Sequence, residues 1–406
     1  MPLSIRPSTG KAAQAMLRIA IAGGSIGGLT VGCLLRDAGH DVTIFERSLT
    51  ELKDRGAGIV CLEATSRYLT ERAGLAIDDF TVKTDHVRYL GRHNRAIFEQ
   101  AHSYRFSSWT TVYRLLLSSF DRDRYHLGHE LTDWTSDDDG VQLRFTDREP
   151  FRADLLICAD GVGSSARQRL QPKATSNYAG YVAWRGILPE SDVDPALAAR
   201  LCQAITYHVG ANSHILVYPI PGMDGSVAKG ERLINYVWYR NYLEDGDLDH
   251  LMTDRDGRHR PMSLPPGKVA DVHQNEVRAA ASARLPEDLA GIIRNTPELF
   301  LQVIYDTMVE KMAFGRVCLL GDAAFVARPH AGAGSAKACE DGWAMARALL
   351  EAPRIESALQ AWEVTELSLG RALVERTRRM GSRSQFENSW TPGDVDLMLG
   401  LRGPGD

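Results

Sequence analysis

Three separated stretches of the sequence combine glycines with an acidic side chain, a combination typical of sites that hold a phosphorylated cofactor. They are residues 23–28 with Glu46 downstream, residues 160–167 and residues 321–334. Glycine lets a backbone approach a ligand closely, and the free N–H groups of a helix that follows it attract a phosphate or an anionic ring. We therefore predict that these stretches contribute to a site for an anionic cofactor.

The first stretch has the pattern strand, glycine turn, helix. Leu17–Ala22 is a short apolar strand, Gly23–Gly28 is the turn, and a second strand, Asp41–Glu46, ends in a carboxylate. This is the dinucleotide fingerprint, in which phosphates meet the helix N-terminus and the carboxylate binds a ribose hydroxyl. Ser25 replaces the middle glycine, so a hydroxyl stands where bare backbone is usual. The predicted nucleotide contacts are Gly23, Ser25, Ile26, Gly28, Glu46 and Arg47.

The other two stretches follow apolar runs in the same way. Asp160 and Arg167 follow the second strand-like run, and we expect them at the mouth of the same sheet as the first turn. In the third stretch, Val317–Leu320 predicts a buried strand that ends at Gly321 and Asp322, and an alanine-rich helix is predicted after Gly334. A tight turn that is packed for its own sake is the alternative interpretation of the third stretch.

Arg114 lies near the start of a helix predicted to open at Val112. The helix macrodipole does not favour a cation there, so a phosphate or cofactor partner is one hypothesis and a solvated surface arginine is the other. The acidic run Asp137–Asp139 precedes a glycine between two strand-like segments, which is typical of a solvated turn rather than a metal site. No metal is predicted.

The composition limits the classes of protein. A chain of 406 residues, with 44% hydrophobic and 24% charged residues, predicts a folded protein of two domains, with or without a tail. A net charge of −5 without basic blocks argues against nucleic acid as a partner, and apolar runs shorter than the ~18–20 residues of a membrane span argue against a membrane. Six scattered cysteines favour reduced thiols in the cytoplasm. The first 16 residues predict a flexible leader.

Residues 178–239 differ from the rest of the chain in the types of residue they contain. Four aromatic, β-branched runs follow each other at hairpin separations, which predicts one antiparallel sheet and a second domain. So many aromatic side chains cannot all face water, so one face of the sheet is expected to roof a cavity over the first domain.

In this order, the three stretches resemble the signatures of the single-component (group A) flavoprotein aromatic hydroxylases, the para-hydroxybenzoate hydroxylase family. The resemblance covers nearly the whole chain, and YAGYVAWRGIL and HILVYPIPG are similar in particular to the branch that acts on hydroxylated pyridines. It implies an α/β fold: a discontinuous Rossmann-like FAD-binding domain, an inserted antiparallel β-sheet substrate domain and a C-terminal helical segment. The implied boundaries are 17–80, 105–177 and 285–350 for the FAD-binding domain, 81–104 and 178–284 for the substrate domain, and 351–406 for the helical segment.

The resemblance also implies roles for the cofactor residues. Gly23, Gly28 and Glu46 would hold the adenosine half of FAD, Asp322 the ribityl or pyrophosphate portion, and Pro329–Gly334, including Gly332, the isoalloxazine. Asp160 and Arg167 belong to a motif associated with FAD and with the nicotinamide donor. Ala336 stands where many members have asparagine, which leaves only backbone N–H groups for the flavin pyrimidine.

The implied reaction uses NADH or NADPH and O2 to hydroxylate a small electron-rich aromatic, such as a hydroxylated pyridine, through a flavin C4a-hydroperoxide. His214 is the predicted general base, since an ordinary pKa near ~6.5 suits proton exchange at neutral pH. Tyr218 shares its strand face, ~13 Å away in an ideal strand, so the two are expected at opposite ends of the cavity. A histidine satisfied within the sheet is the alternative.

Other functions stay open at this point. They are a phenolic hydroxylase of another pathway, a flavin reductase or oxidase of the same fold, and a nucleotide-binding regulatory module without turnover. A homodimer is only what the family resemblance implies.

Overall fold

The computed structural model describes residues 16–52, 57–244 and 246–406. The predicted leader therefore lies outside the described residues, apart from Met16. The helices are α1 (Ile26–Asp37), α2 (Glu63–Glu71), α3 (Trp109–Ser118), α4 (Ser165–Leu170), α5 (Pro195–Cys202), α6 (Asp247–Leu251), α7 (Asp271–Arg284), α8 (Glu287–Asn295), α9 (Gly334–Glu351) and α10 (Ile355–Gln385). None of these helices is long and apolar enough to cross a bilayer.

The strands of the described residues form three sheets. They are β1 (Arg18–Ala22), β2 (Asp41–Glu46), β3 (Gly58–Val60), β4 (Val82–Leu90), β5 (Ala96–Ser108), β6 (Tyr125–Leu127), β7 (Leu131–Asp137), β8 (Gly140–Phe145), β9 (Arg148–Ala153), β10 (Leu155–Cys158), β11 (Asn177–Pro189), β12 (Ala204–Gly210), β13 (Ser213–Ile220), β14 (Leu233–Asn241), β15 (Ser263–Leu264), β16 (Phe300–Asp306), β17 (Ala313–Phe314) and β18 (Val317–Leu319).

The first sheet brings the three glycine stretches together. Its order is β17-β18-β10-β1-β2-β6, and every pairing except that of β17 with β18 is parallel. The strands β1, β10 and β18 are adjacent, buried and apolar, so their carboxyl ends lie at one edge, where open α/β sheets bind ligands. The turns that begin at residues 23, 159 and 321 therefore meet at that edge, as predicted.

The second sheet has nine strands in the order β15-β16-β11-β14-β13-β12-β4-β5-β3. All its pairings are antiparallel except that of β12 with β4, so the predicted antiparallel sheet is confirmed. Side chains alternate between its faces. Trp184 and Trp238 lie in the apolar core that includes α7 and α8, whereas Tyr181 and Tyr239 lie on the opposite face. We call that opposite face the roof face, because it covers the cofactor domain.

Two details differ from the sequence-based expectations. The strands β3 and β16 fall in the segments 17–80 and 285–350 that were expected in the cofactor domain, yet they pair with β5 and β11 in the nine-stranded sheet. The helix α3 begins at Trp109 rather than at Val112, because Ser108 caps it by accepting a hydrogen bond from the Thr111 N–H. Arg114 is therefore in the second turn, where the macrodipole argument for an anionic partner is weaker. The acidic turn 137–139 joins β7 to β8, as predicted.

Candidate active site

The turn after β1 can be built only from glycine at two positions. Gly23 has φ +110°, and a Cβ there would lie 2.2 Å from the Ala159 carbonyl oxygen. A Cβ on Gly28 would lie 1.9 Å from the Gly23 carbonyl oxygen. The glycines thus let β1, α1 and the turn after β10 approach each other closely, which leaves the N-terminus of α1 facing the sheet edge.

A cavity of about 220 Å³ opens at this edge. Glu46 lies in its wall with a fixed carboxylate, because its oxygens accept hydrogen bonds from the N–H groups of Gly24 (2.9 Å) and Ser48 (2.8 Å). Each carboxylate oxygen keeps a second acceptor site for a ribose hydroxyl. The lining includes the predicted contacts Gly23, Ser25, Glu46, Arg47 and Asp160.

Ser25 and Ile26 occupy the start of α1. The Ser25 side chain makes no capping hydrogen bond, so its hydroxyl is free to donate to a phosphate. The Ile26 side chain is buried in the core, so only its backbone N–H could reach a cofactor. The predicted contact of Ile26 with the cofactor could therefore be made only by its backbone N–H.

Asp160 fixes its own turn, and Arg167 joins that turn to the third stretch. Asp160 accepts hydrogen bonds from the Ser164 hydroxyl (2.6 Å) and the Ala166 N–H (3.2 Å), which fixes the start of α4. Arg167 is buried and donates to the carbonyls of Val162, Asp322 and Ala323. Burial lowers the pKa of this guanidinium. Arg167 therefore joins the second glycine stretch to the third, and its direct contact with a cofactor stays a prediction.

Asp322 is the one member of the third stretch whose side chain is left without a partner. Its carboxylate makes no hydrogen bond to the described residues, and burial raises its pKa to about 6. The turn that carries it is fixed from behind, since the Gly321 N–H donates to Asp341 on α9 at 2.8 Å. A half-buried carboxylate without a donor fits the hydroxyls of a ribityl chain.

The loop at 329–334 leads directly into α9. Gly332 has φ +65°, and a Cβ there would lie 2.4 Å from a methyl carbon of Val60, so only glycine fits. Gly334 is exposed, and its ideal Cβ position has no atom within 4 Å. The N-terminus of α9 has no side-chain cap. Open space beside uncapped N–H groups suits an anionic ring, and with the cavity and Asp322 it fits FAD.

Arg114 is placed differently from the cofactor residues. Its guanidinium donates to the Met223 carbonyl at 3.1 Å, so it joins α3 to the connection between β13 and β14. Its predicted cofactor contact stays a prediction.

His214 lies on the roof face above this loop. Its Nδ1 is 2.9 Å from the Ser384 hydroxyl, and its ring stacks on Trp390 with the centroids 4.6 Å apart. Burial lowers its pKa to about 3, so the expectation of an ordinary pKa is wrong. The imidazole is neutral at physiological pH, and its Nε2 has no partner among the described residues.

We expect His214 to make the protein sensitive to acid. The unfolded pKa is near 6.5 and the folded pKa near 3, so the stability that neutral His214 contributes is present above pH 6.5 and lost as pH falls. In His214→Gln, the fall in unfolding free energy from pH 7 to pH 4 should be smaller than in wild type by about 2–3 kcal/mol. Urea unfolding at several pH values measures this. The exposed His93→Gln is the control, and equal falls in wild type and His214→Gln would contradict the burial argument.

Tyr218 has a partner of its own. Its hydroxyl donates to the Gly58 carbonyl at 2.9 Å, and its ring stacks on Phe106 with the centroids 4.3 Å apart. Burial raises its pKa to about 12, so it stays protonated at neutral pH. Its oxygen can still accept a hydrogen bond from a ligand.

The sequence did not predict the aromatic group that surrounds His214. The His330 Nε2 lies 2.7 Å from the Tyr181 hydroxyl, and the His330 ring is 4.7 Å from that of Tyr239 and 5.3 Å from that of His214. The alternation along β11 and β14 could have placed Tyr181 and Tyr239 on the roof face, but nothing in the sequence joins them to residue 330.

The comparisons with known proteins agree with this geometry. The sequence profile described as FAD binding domain matches residues 16–219 and 299–377, more than half of the chain, and one described as FAD binding domain-like matches residues 178–306. The chain belongs to the family of FAD-dependent aromatic monooxygenases. FAD is its cofactor, and NAD(P)H and O2 are its co-substrates.

Individual relatives are similar over nearly the full length. The chain is 35% identical to 2,6-dihydroxypyridine 3-monooxygenase of Paenarthrobacter nicotinovorans, over 95% of this chain and 96% of that protein. It is 26% identical to 6-hydroxynicotinate 3-monooxygenase of Bordetella bronchiseptica, over 93% and 92%. The solved structure of 2,6-dihydroxypyridine-3-hydroxylase from Arthrobacter nicotinovorans superposes with a TM-score of 0.91 at 33% identity, over 96% and 98%. The predicted family, fold class and cofactor are confirmed.

Proposed function

We propose that this monooxygenase hydroxylates a small hydroxylated pyridine. The observation that supports it most is the similarity to 2,6-dihydroxypyridine 3-monooxygenase over the whole chain, including the strands that form the roof face. In the balanced reaction, one atom of O2 enters an aromatic C–H bond and the other leaves as water, while NAD(P)H is oxidised.

The cofactor residues have distinct tasks in this proposal. Glu46 and Ser25 hold the adenosine and pyrophosphate portions, Asp322 accepts from the ribityl chain, and the N-terminus of α9 stabilises negative charge on the reduced ring. When bound and reduced by NAD(P)H, FAD would activate O2 for the hydroxylation. The protein's own work is to orient the aromatic ring and exclude water.

His214 and Tyr218 are the proposed substrate contacts among the sequence-predicted residues. The free Nε2 of His214 can form a hydrogen bond with a substrate hydroxyl, as donor or acceptor according to the tautomer of the ring, and the Tyr218 oxygen can accept one. A pKa of about 3 makes full protonation of His214 unfavourable, so it acts as a neutral hydrogen-bond partner rather than as a proton store. The substrate must then reach its electron-rich anion with help from another group.

A substrate screen tests the proposal. We expect 2,6-dihydroxypyridine or a close hydroxypyridine to accelerate NADH or NADPH oxidation by the FAD-loaded enzyme by at least about tenfold, with a hydroxylated product. Simple phenols and hydroxybenzoates serve as the comparison set. A phenol that is the better substrate would favour the phenolic hydroxylase, and unstimulated oxidation without hydroxylated product would favour a reductase or oxidase.

Two further predictions, a homodimer and a cytoplasmic location, accompany the proposal. NADH and NADPH are to be distinguished by the same assay, since no separate Rossmann unit for the nicotinamide is apparent in the sequence. The homodimer is tested by sedimentation. The cytoplasmic location agrees with six buried free cysteines in the described residues.

A further inference from the structure

We propose that Arg185 binds the negatively charged oxygen of the aromatic substrate and thereby selects rings that carry an ionised hydroxyl. This inference rests on the proposed function and assigns a role to a further side chain of the nine-stranded sheet. Arg185 is a binding residue in it and takes no part in the transfer of oxygen.

The strand register places Arg185 on the roof face. It pairs with Val237 of β14, which in turn pairs with Leu216 of β13. Directly paired residues share a face, and so do residues two apart along a strand. Arg185 therefore lies on the same face as Tyr239 and His214, with its neighbour Trp184 in the core on the other side.

The same face meets the loop that leads into α9. His330 of that loop hydrogen-bonds Tyr181 of β11 and lies against the rings of Tyr239 and His214. Arg185, Leu216 and Ile187 are only half-buried there, unlike Ala183 and Val237, which are buried. The half-buried positions mark open space between the sheet and the cofactor loop.

Arg185 has no partner of its own. Its Nε is buried without a hydrogen bond, and its guanidinium makes no ion pair with any described carboxylate. The Nδ2 of Asn235, on the same face, is likewise buried without a partner. Unpaired buried donors are costly and point to a missing acceptor. A guanidinium combines several N–H donors with a positive charge, so an anionic oxygen is the acceptor that fits Arg185.

The charges around Arg185 agree with this assignment. Tyr218 and Tyr239 are kept protonated by burial, and the charge of Arg185 acts on both of their hydroxyls in the opposite sense. Arg328, the cation on the cofactor loop, is already paired with Asp306 at 2.8 Å. Arg185 is thus the uncompensated positive charge of the described roof face, and a substrate anion would balance it.

The proton balance is simple. A dihydroxypyridine loses a hydroxyl proton to water, and Arg185 stabilises the resulting anion, whose charge enters the ring and makes it electron-rich. Neither His214 nor Tyr218 has to store that proton. This removes the difficulty raised by the low pKa of His214.

The test compares an ionisable ligand with a neutral one. Binding of 2,6-dihydroxypyridine and 2,6-dimethoxypyridine to the oxidised FAD-loaded enzyme is measured from the change in flavin absorbance, without turnover. We expect Arg185→Gln to weaken 2,6-dihydroxypyridine by about 10- to 100-fold and to leave 2,6-dimethoxypyridine within about twofold. Arg185→Lys should recover part of the loss. Arg255→Gln, an exposed arginine of the same domain, is the control.

Each outcome is decisive. An unchanged Kd for 2,6-dihydroxypyridine in Arg185→Gln would overturn the inference, as would equal losses for both ligands or loss of FAD from the variant, since these indicate a structural role. If wild type bound no hydroxypyridine and was not stimulated by one, the proposed function itself would fail, which is a different result.

Discussion

Lys337→Met is expected to lower the free energy of unfolding by about 3–5 kcal/mol. Lys337 is 2% exposed on α9, and its ammonium pairs with Asp341 one turn later and with Glu366 of α10 at 3.3 Å. Methionine fills a similar volume but leaves the Asp341 carboxylate and the Glu366 carboxyl group buried without their cation. Because Asp341 also holds the Gly321 N–H, the damage should reach the turn that carries Asp322.

Urea unfolding and FAD content measure this effect. Lys83→Met is the matched control, since Lys83 is half exposed and pairs with Asp85 at 3.6 Å, so its loss should cost less than about 1 kcal/mol. Similar losses in the two variants would contradict a buried ion network.

The same network predicts a pH effect that Glu366→Gln should remove. Burial and the neighbouring Asp341 raise the pKa of Glu366 from 4.5 to about 8. A folded pKa above the unfolded one means that this stability is present below about pH 4.5 and is lost as pH rises towards 8. The fall in Tm between pH 5 and pH 9 should therefore be smaller in Glu366→Gln than in wild type.

Asp322→Ala is expected to weaken FAD binding by about 10- to 100-fold. The Asp322 carboxylate has no partner among the described residues, so the hydroxyls of the cofactor would be its donors. Asp322→Asn keeps a neutral acceptor, so its affinity for FAD should lie between those of wild type and Asp322→Ala. FAD titration of apoprotein, followed by flavin fluorescence, measures the loss, and equal affinity in all three proteins would contradict the assignment.

The substitution Asp322→Asn should stabilise the FAD-free protein. Burial raises the pKa of Asp322 to about 6, so the apoprotein loses stability as pH rises through that value. At pH 8, Asp322→Asn should have the higher Tm without FAD. A carboxylate that is costly in the apoprotein and needed by the holoprotein is typical of a binding residue rather than of a structural one.

The meeting of the three glycine turns at one sheet edge could be predicted from the sequence because it depends on local features. A glycine turn needs particular backbone angles, and a parallel strand leads each turn to the same sheet edge, so Gly23, Glu46 and Asp322 could be placed together from spacing alone. The antiparallel sheet was predictable from its alternating aromatic runs.

The proposed substrate half of the site depends on long-range packing. The low pKa of His214 follows from burial against Trp390 and Ser384, which come from the far end of the chain. Lys337 and Asp341 have the spacing of an ordinary surface pair, and only the packing of α10 buries them with Glu366. The orientation of Arg185 becomes definite only when Trp184 is known to face the core.

Isotope labelling tests whether this enzyme hydroxylates a hydroxypyridine with an oxygen atom from O2. The FAD-loaded enzyme is given 2,6-dihydroxypyridine, a nicotinamide donor and O2 labelled with oxygen-18, and the product is analysed by mass spectrometry. We expect a product with one added hydroxyl group whose oxygen is oxygen-18. An unlabelled hydroxyl, or donor oxidation that leaves the pyridine unchanged, would contradict it.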